Sequence, residues 1–293
     1  MSKSPFVTTI DANTSDIIRC DLEGMGFTLS IKPYMRFCAQ KKGIAVHSYE
    51  SGKLVVQGGD IQEFMEFYLE PKLGVFSFTN PDVNIDKTSR IGGDESGKGD
   101  FLGPLCVAAV FADSKAIENL AKLGVRDSKA LTDRKIGDLC QKIRALCTVE
   151  TIALFPEKYN ELYAKFGNLN RLLAWAHAAC VHSLTQRAPS SLIIIDQFES
   201  SGVTKRAFAQ KGLPEPVLRV RAESDIVVAS ASIIARGLFV DGLRTLSEKA
   251  GIELPKGGGA RVTAAAKQIA EHLGKEALGL FAKMHFKNAD AIN

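Results

Sequence analysis

Two adjacent acidic residues in a glycine-rich segment are the sharpest chemical feature of this sequence. Asp94 and Glu95 stand in Gly92–Asp100, which reads Gly-Gly-Asp-Glu-Ser-Gly-Lys-Gly-Asp. A phosphate-binding loop of the G-x-x-x-x-G-K-[ST] type is one interpretation, but Gly99 occupies the position of the required hydroxyl, and two carboxylates would repel phosphate. Carboxylate oxygens are ligands that Mg²⁺ prefers. The segment therefore favours a metal site over a phosphate loop.

Further acids follow two other predicted strands. Asp196 comes directly after the apolar run Leu192–Ile195, which is typical of a strand buried on both faces. Ligands of open α/β sheets bind at such strand ends, although Asp196 could also be a loop acid or a helix cap. Glu223 and Asp225 lie between a strand and a helix, where either could serve only as a cap. Three acidic clusters at one sheet edge would suit a pair of divalent cations about 4 Å apart, as in phosphodiester cleavage.

The segments around these acids predict strands and helices in alternation. Strands are predicted at Ile91–Asp94, Leu105–Ala112, Thr148–Phe155, Leu192–Ile195 and Val217–Ala222. Helices are predicted at Ser128–Ala145 and Leu169–Leu184. A long helix is predicted to follow the strand Val217–Ala222 and to end at about Lys249, and a last helix runs from Thr263 to about Lys283. Such alternation is typical of an α/β sheet covered by helices.

Residues 5–78 predict a separate, smaller α+β unit. Its strands are expected at Gly43–Tyr49 and Lys53–Gln57. A first helix is expected to have its N-cap within Asp11–Ser15 and to include the periodic stretch Ile17–Met25, and a second helix is expected after Asp60, ending before Pro71. The polar segment 79–88 lacks periodicity and is typical of a linker. We therefore predict an N-terminal domain at 1–78, a linker at 79–89 and a larger domain at 90–293.

The composition excludes several classes of protein. The 293 residues are 45% hydrophobic and 24% charged, which is ordinary for a folded globular chain and not for a disordered one. The net charge is +4; residues 1–87 carry 9 basic and 11 acidic residues, and the remainder carries 28 and 22, so a nucleic-acid partner suits the larger part. No secretory signal and no apolar run of about 18–20 residues is evident. Six scattered cysteines predict reduced thiols, and together these features predict a cytoplasmic protein without membrane association.

Several motifs, in order along the chain, resemble the ribonuclease HIII family, which is related to ribonuclease HII. The stretches that carry the resemblance are Gly93–Leu105, Val125–Leu131, Asn168–His177, Ile195–Phe198 and Lys283–Phe286. In the N-terminal unit, Tyr49–Gly58 is similar to the extra domain of that family, which is related to a repeat of the TATA-box-binding protein.

The resemblance implies an RNase H-like mixed sheet flanked by helices, preceded by a TATA-box-binding-protein-like substrate-binding domain. It implies an endonuclease that hydrolyses the RNA strand of RNA–DNA hybrids with two Mg²⁺ or Mn²⁺ ions, giving 5′-phosphate and 3′-hydroxyl ends. Catalysis and metal binding fall on Asp94, Glu95, Asp196 and Glu223, with Asp225 as the alternative fourth acid. A monomer is expected.

The resemblance also implies residues that contact substrate. Gly97, Lys98 and Gly99 would sense the 2′-hydroxyl that distinguishes RNA from DNA, although the glycines could instead only shape a turn. Ser128 and Lys129 are expected to contact a phosphate, unless they merely begin a surface helix.

Other positions are weighed by their surroundings. His177 has Ala and Leu neighbours on a predicted helix and is interpreted as a packing histidine, outside the site. The following basic residues of the N-terminal domain are candidates for gripping a duplex: Lys32, Arg36, Lys41, Lys42 and Lys53.

Two other functions fit parts of the pattern. A non-catalytic nucleic-acid-binding protein would share the basic balance but has no need of four acids facing phosphate. An RNase H-fold nuclease acting on DNA would share the acids, but the resemblance of the Gly97-Lys98-Gly99 loop argues against it.

Overall fold

The chain divides into two units in a computed structural model that describes residues 5–59, 61–74, 85–125 and 131–292. The units are Met1–Ile85 and Asp86–Asn293. The division falls in the expected linker, of which residues 79–84 lie outside the described part.

The first unit is a five-stranded antiparallel sheet with helices. Its strands are β1 (Phe6–Thr9), β2 (Thr28–Ser30), β3 (Met35–Lys41), β4 (Ile44–Tyr49) and β5 (Lys53–Gln57), in the order β1-β5-β4-β3-β2. Its helices are α1 (Ala12–Gly24), α2 (Gln62–Phe64), a π-helical turn (Met65–Leu69) and α3 (Glu70–Leu73). Ile18 and Leu22 of α1 are fully buried with Val46, Leu54 and Val56 of the sheet.

One helix start in this unit agrees with the expectation, and one helix end differs from it. α1 begins at Ala12, because the Asp11 carboxylate, one of the expected N-cap candidates, accepts a hydrogen bond from the Thr14 N–H at 2.8 Å. The second helical segment does not end before Pro71. Pro71 lies in α3, directly after the π-helical turn, and Gly74 at φ 65° ends the helix.

The second unit contains a mixed five-stranded sheet in the order β10-β9-β6-β7-β8. Its strands are β6 (Arg90–Ser96), β7 (Leu105–Ala112), β8 (Thr148–Leu154), β9 (Ile193–Asp196) and β10 (Val217–Arg219). β6, β7 and β8 pair antiparallel, whereas β9 runs parallel to both β6 and β10. The α/β class with a mixed sheet flanked by helices is therefore confirmed.

Eight α-helices in the described part of this unit accompany the sheet. They are α4 (Ser114–Lys122), α5 (Asp133–Leu146), α6 (Pro156–Phe166), α7 (Leu169–Thr185), α8 (Val203–Gln210), α9 (Ile226–Ala250), α10 (Ala260–Leu273) and α11 (Lys287–Asp290). Short 3₁₀ turns lie at Ala222–Ser224 and Lys275–Leu280. The last long helix was expected to reach Lys283, but it ends at Leu273, since Gly274 at φ 88° leaves the helical conformation.

Helix α9 is the central helix of the second unit. It is long and apolar enough to cross a membrane by length and composition, yet it packs against β6 and β7 and is mostly buried. A Cβ on Gly92 would lie 2.5 Å from the backbone of Val227 and Val228, so glycine is required for β6 and α9 to approach this closely. The close contact places the first turn of α9 against β6 at Gly92, two residues before Asp94.

Candidate active site

The four acids expected from the sequence line one cavity of about 300 Å³. Asp94 and Glu95 come from the end of β6, Asp196 ends β9, and Glu223 lies in the 3₁₀ turn before α9. The parallel pairing of β6 with β9, which sets Gly93 opposite Ile195, places the first three acids at the same edge of the sheet. The cavity is completed by Ser96, Gly97, Lys98, Gly99, Ser232 and Arg236.

Glu223 and Asp225 have different surroundings. The Asp225 carboxylate caps α9, accepting hydrogen bonds from the N–H groups of Val227 (2.9 Å) and Val228 (3.3 Å). It also forms a buried ion pair with the Arg90 guanidinium, Nε to Oδ2 2.8 Å. Glu223, and not Asp225, lines the cavity. The geometry thus favours Glu223 as the fourth acid and gives Asp225 a structural task.

The 3₁₀ turn is tied to the strand end by Asp196. Its Oδ1 accepts a hydrogen bond from the Ala222 N–H at 2.8 Å. Arg221, just before the turn, adopts a left-handed conformation with φ 56°. This backbone reversal ends the expected strand at Arg219 instead of Ala222 and turns Glu223 toward the cavity.

The carboxyl group of Asp94 is electrostatically perturbed. Burial and the nearby charges of Glu95 and Asp196 raise the pKa of Asp94 to about 7. Hydrogen bonds from the Ser232 hydroxyl and the Glu95 N–H (2.7 Å) act in the opposite direction without cancelling this rise. Asp94 is therefore held, beside other carboxylates, in surroundings that disfavour its charged form.

Both oxygens of Glu95 contact neighbouring side chains. His177 Nε2 donates to Oε2 at 3.1 Å, and Lys98 Nζ lies 3.5 Å from Oε1. The Phe198 ring lies against both partners: the His177 ring stacks on it at 5.3 Å with an interplanar angle of 13°, and Lys98 Nζ is 5.3 Å from its centroid. This set, His177, Lys98 and Phe198, fixes the position of Glu95.

His177, interpreted from the sequence as a packing histidine, contacts the candidate acid Glu95. It is 1% exposed, and its Nδ1 has no hydrogen-bond partner among the described residues. A buried polar side chain on an apolar helix needs a partner. This requirement indicates that His177 has a polar partner. The sequence does not identify that partner, because Glu95 lies 82 residues earlier in the chain.

The donor set fits hard divalent cations. Four carboxylates from three elements face the same cavity, and a cation there would relieve the repulsion that raises the pKa of Asp94. Within the described ranges, no three His, Cys, Asp or Glu side chains are already arranged to hold an ion as they stand. Mg²⁺ is commonly held by one or two carboxylates, waters and substrate phosphate, so an open arrangement of acids suits it.

The glycine-lysine-glycine loop combines shape and exposure. A Cβ on Gly97, at φ 87°, would lie 2.2 Å from the Pro104 carbonyl oxygen, so Gly97 is needed for the turn itself. Gly99 is exposed, and a Cβ there would meet nothing within 4 Å, so packing within the protein does not require glycine at this position. Lys283, fully buried, anchors the end of the loop by donating to the carbonyl oxygens of Asp100 (2.8 Å) and Gly103 (2.7 Å).

Ser128 and Lys129, the expected phosphate contacts, lie outside the described residues, as does most of Val125–Leu131. The helix expected from Ser128 is described from Asp133, where the Thr132 hydroxyl caps α5. Among the N-terminal basic candidates, Lys41 donates to the Met25 carbonyl oxygen at 2.8 Å and lies over the Phe27 ring.

Comparison with known proteins identifies the family. The Ribonuclease HII family matches residues 91–289, and a domain of unknown function, DUF3378, matches residues 5–75. Ribonuclease HIII of Protochlamydia amoebophila is 45% identical over 293 residues, covering 99% of this chain and 97% of the relative. This chain belongs to the ribonuclease HIII family. It is an RNase H-type endoribonuclease.

Solved structures of the ribonuclease HIII family have the same fold. Bst-RNase HIII, crystallised with Mn²⁺, is 29% identical with a TM-score of 0.69, covering 99% of this chain and 98% of that one. RNase H3 of Aquifex aeolicus is 26% identical with a TM-score of 0.59, covering 96% of this chain and 100% of that one. The likeness of the N-terminal unit to a TATA-box-binding-protein repeat stays a prediction, since residues 5–75 match a family without assigned function.

Proposed function

We propose that this ribonuclease HIII family member cuts the RNA strand of RNA–DNA hybrids internally by two-metal-ion hydrolysis, leaving 5′-phosphate and 3′-hydroxyl ends. The observation that carries the proposal is the convergence of Asp94, Glu95, Asp196 and Glu223 on one cavity beside the glycine-lysine-glycine loop. Mg²⁺ or Mn²⁺ is the proposed cofactor, and the Mn²⁺ complex of Bst-RNase HIII supports a divalent ion.

The four carboxylates are the proposed metal ligands. Bound divalent ions supply a water of lowered pKa and charge stabilisation for the leaving oxygen. The protein's own part is to hold the ligands: Asp94 by the Ser232 hydroxyl, Asp196 by the Ala222 N–H, and Glu95 by His177. Since the acids come from three separate elements, their relative positions depend on the packing of α9 and α7 against the sheet.

Substrate contacts are assigned to the loop and to the basic residues. The exposed backbone at Gly99 can approach a ribose 2′-hydroxyl, because no Cβ intervenes. Lys98 is the proposed contact to a phosphate near the cavity, and Ser128 with Lys129 a second one. The N-terminal domain is proposed to grip the duplex backbone without reading bases. We further assign the protein as a monomer of the cytoplasm, consistent with its six free cysteines.

Cleavage of end-labelled duplexes tests the proposal. RNA–DNA hybrid, duplex RNA and duplex DNA are incubated with Mg²⁺, Mn²⁺ or a chelator, using the native protein, Asp94→Asn, and Asp138→Asn as a control at an exposed acid of α5. We expect metal-dependent cutting of the hybrid's RNA strand only, lowered about a thousandfold or more in Asp94→Asn and unchanged in the control.

The same reactions separate the proposal from its alternatives. Product 5′ ends should accept radiolabel from a polynucleotide kinase only after phosphatase treatment, as 5′-phosphates do. Tight, salt-sensitive hybrid binding without cleavage in either metal would instead indicate a nucleic-acid-binding protein. Equal cutting of duplex DNA would contradict the assigned role of the glycine-lysine-glycine loop.

A further inference from the structure

A groove between α7 and α8 forms a second cavity, of about 540 Å³, away from the four acids. On α7 it is lined by Arg171, Trp175 and Ala178, whose spacing places them on one face of the helix. Trp175 and His177 are two residues apart, so they point about 200° apart around the helix axis. The groove therefore opens on the side of α7 opposite to the side that holds Glu95.

The groove exists because small residues leave the space between the helices unfilled. Ala178 and Ala207 stand where the two helices face each other, and the wall beside them is formed by Phe166 and Trp175, whose rings lie 5.8 Å apart. Trp175, the only tryptophan of the chain, stays partly exposed. A partly exposed indole on an apolar floor is typical of surfaces that bind a partner.

The rim of the groove is positively charged. Arg171, Arg206 and Lys211 line it, and in the parts of the chain that the structure describes, no carboxylate pairs with any of them. Arg206 Nη1 donates only to the Ser201 carbonyl oxygen, at 3.3 Å. By contrast, Lys205 on the same helix points elsewhere and pairs with Glu215 at 2.5 Å.

We propose that this groove is a docking site for an acidic peptide segment of a partner protein, which inserts one aromatic or large aliphatic side chain. The apolar floor requires an apolar group, and three unpaired cations around it require negative charge on the same ligand. A single nucleic-acid strand fits less well, because such strands bind along extended cationic tracks with successive stacking platforms. The groove between α7 and α8 is instead one compact cavity with a single pair of aromatic rings, Phe166 and Trp175.

The position of the groove defines what such docking does. The groove shares no lining residue with the cavity of the four acids, so a segment bound in the groove leaves that cavity unfilled. The proposal stands on the groove alone and does not depend on the function assigned to the acids.

Intrinsic fluorescence of the single tryptophan gives a site-specific test. The full chain is titrated with a peptide of four aspartates followed by a C-terminal phenylalanine, and Trp175 emission is followed together with the anisotropy of a labelled copy. We expect a saturable change with a Kd of about 10–100 μM, which rises with salt. Peptides with the phenylalanine replaced by alanine, or the aspartates replaced by serine, should each bind at least about tenfold more weakly.

Three variants locate the binding. Arg206→Glu should weaken binding about tenfold or more, because it reverses one rim charge. Ala207→Leu should also weaken it about tenfold by filling the hollow, whereas Lys205→Glu, an equal charge change on the same helix, should leave Kd within about twofold. Thermal unfolding of each variant confirms that the groove is still folded, and hybrid cleavage provides an independent check of the active site.

Three outcomes would overturn the proposal. The first is that neither emission nor anisotropy changes with the peptide. The second is that Ala207→Leu and Lys205→Glu affect binding no differently, which would indicate general attraction to a basic surface. The third is that a short oligothymidylate, and not the peptide, saturates the Trp175 signal, which would make the groove a contact for single-stranded nucleic acid.

Discussion

Asp94 and Glu199 are both largely buried carboxylates in the same unit, yet the protein treats them in opposite ways. Glu199, three residues after Asp196, accepts hydrogen bonds from the Ser201 N–H (2.6 Å), the Ser201 hydroxyl (2.7 Å) and the Thr204 N–H (3.0 Å). Burial alone would raise the pKa of Glu199, but these bonds lower it to about 2. For Asp94, burial and neighbouring carboxylates raise the pKa to about 7.

The difference separates a structural acid from a site acid. Glu199 holds the start of α8, and its charge is satisfied by the protein itself. Asp94 is buried beside Glu95 and Asp196, and an added proton or cation would offset the cost of its charge. Perturbed acids of this kind cluster at functional sites, where the protein gives up stability to keep a ligand position open.

The comparison predicts that neutralising Asp94 stabilises the metal-free protein. Its folded pKa of about 7 exceeds the unfolded value of 3.8, so the stabilisation from its proton is complete below pH 3.8 and is lost as pH rises through 7. Asp94→Asn should therefore raise the free energy of unfolding by about 2–4 kcal/mol near pH 8, and by less as pH falls toward 4. Urea unfolding in chelator measures this, with Asp138→Asn as control; no gain near pH 8 would place Asp94 among the structural acids.

Neutralising Glu199 should have the opposite effect. Its folded pKa of about 2 lies below the unfolded 4.5, so its contribution is present above pH 4.5 and lost as pH falls through 2. Glu199→Gln should lower the free energy of unfolding by about 1–3 kcal/mol near pH 7, with the deficit shrinking between pH 4.5 and 2. Glu271→Gln, at an exposed position of α10, is the control. A deficit that does not change with pH would show that packing, and not charge, explains Glu199.

Features of the site that depend on neighbouring residues in the sequence can be predicted, whereas features that depend on residues far apart in the sequence cannot. The strand pattern makes Asp94, Asp196 and the pair Glu223 and Asp225 candidates, because each stands at the end of a predicted strand. Their assignment to one catalytic site comes from the resemblance to ribonuclease HIII. The choice between Glu223 and Asp225 was open, because it depends on Arg90, which lies 135 residues before Asp225 and binds it. The role of His177 depends in the same way on a partner 82 residues distant.

Local backbone geometry also limits which helices and strands can be predicted from the sequence. The N-terminal strands Lys53–Gln57 and most of Gly43–Tyr49 were expected with the correct bounds, because alternation and a Ser51-Gly52 turn are short-range features. The helix through Pro71 was not expected, because a π-helical turn before it allows proline at a new helical start. Such turns leave no simple pattern in the sequence.

His177 tests whether a side chain outside the four acids positions one of them through a hydrogen bond. His177→Gln keeps a donor but loses the stack on Phe198, and His177→Leu loses the hydrogen bond to Glu95 as well. We expect kcat on a hybrid to fall about threefold in the first variant and about tenfold or more in the second, with Mn²⁺ affinity falling in parallel. Mn²⁺ titration followed by electron paramagnetic resonance separates positioning of Glu95 from a loss of folding, and equal effects of both variants would remove the hydrogen bond from the explanation.

Lys98 gives the smallest expected effect and the finest test of the comparison. Its Nζ lies 3.5 Å from Glu95 Oε1 and therefore competes with a metal ion for that oxygen. Because the Lys98 side chain is 35% exposed, the competition is weak, and Lys98→Met should raise the Mn²⁺ affinity of the substrate-free protein only about two- to fivefold. Arg236→Met removes a second cation from the same cavity and is the matched control. A larger gain in Mn²⁺ affinity for Lys98→Met than for Arg236→Met would assign the effect to the contact between Lys98 and Glu95. Equal gains would assign it to the summed positive charge in the cavity. In that case the acids around Asp94, and not the glycine-lysine-glycine loop, would set the metal affinity.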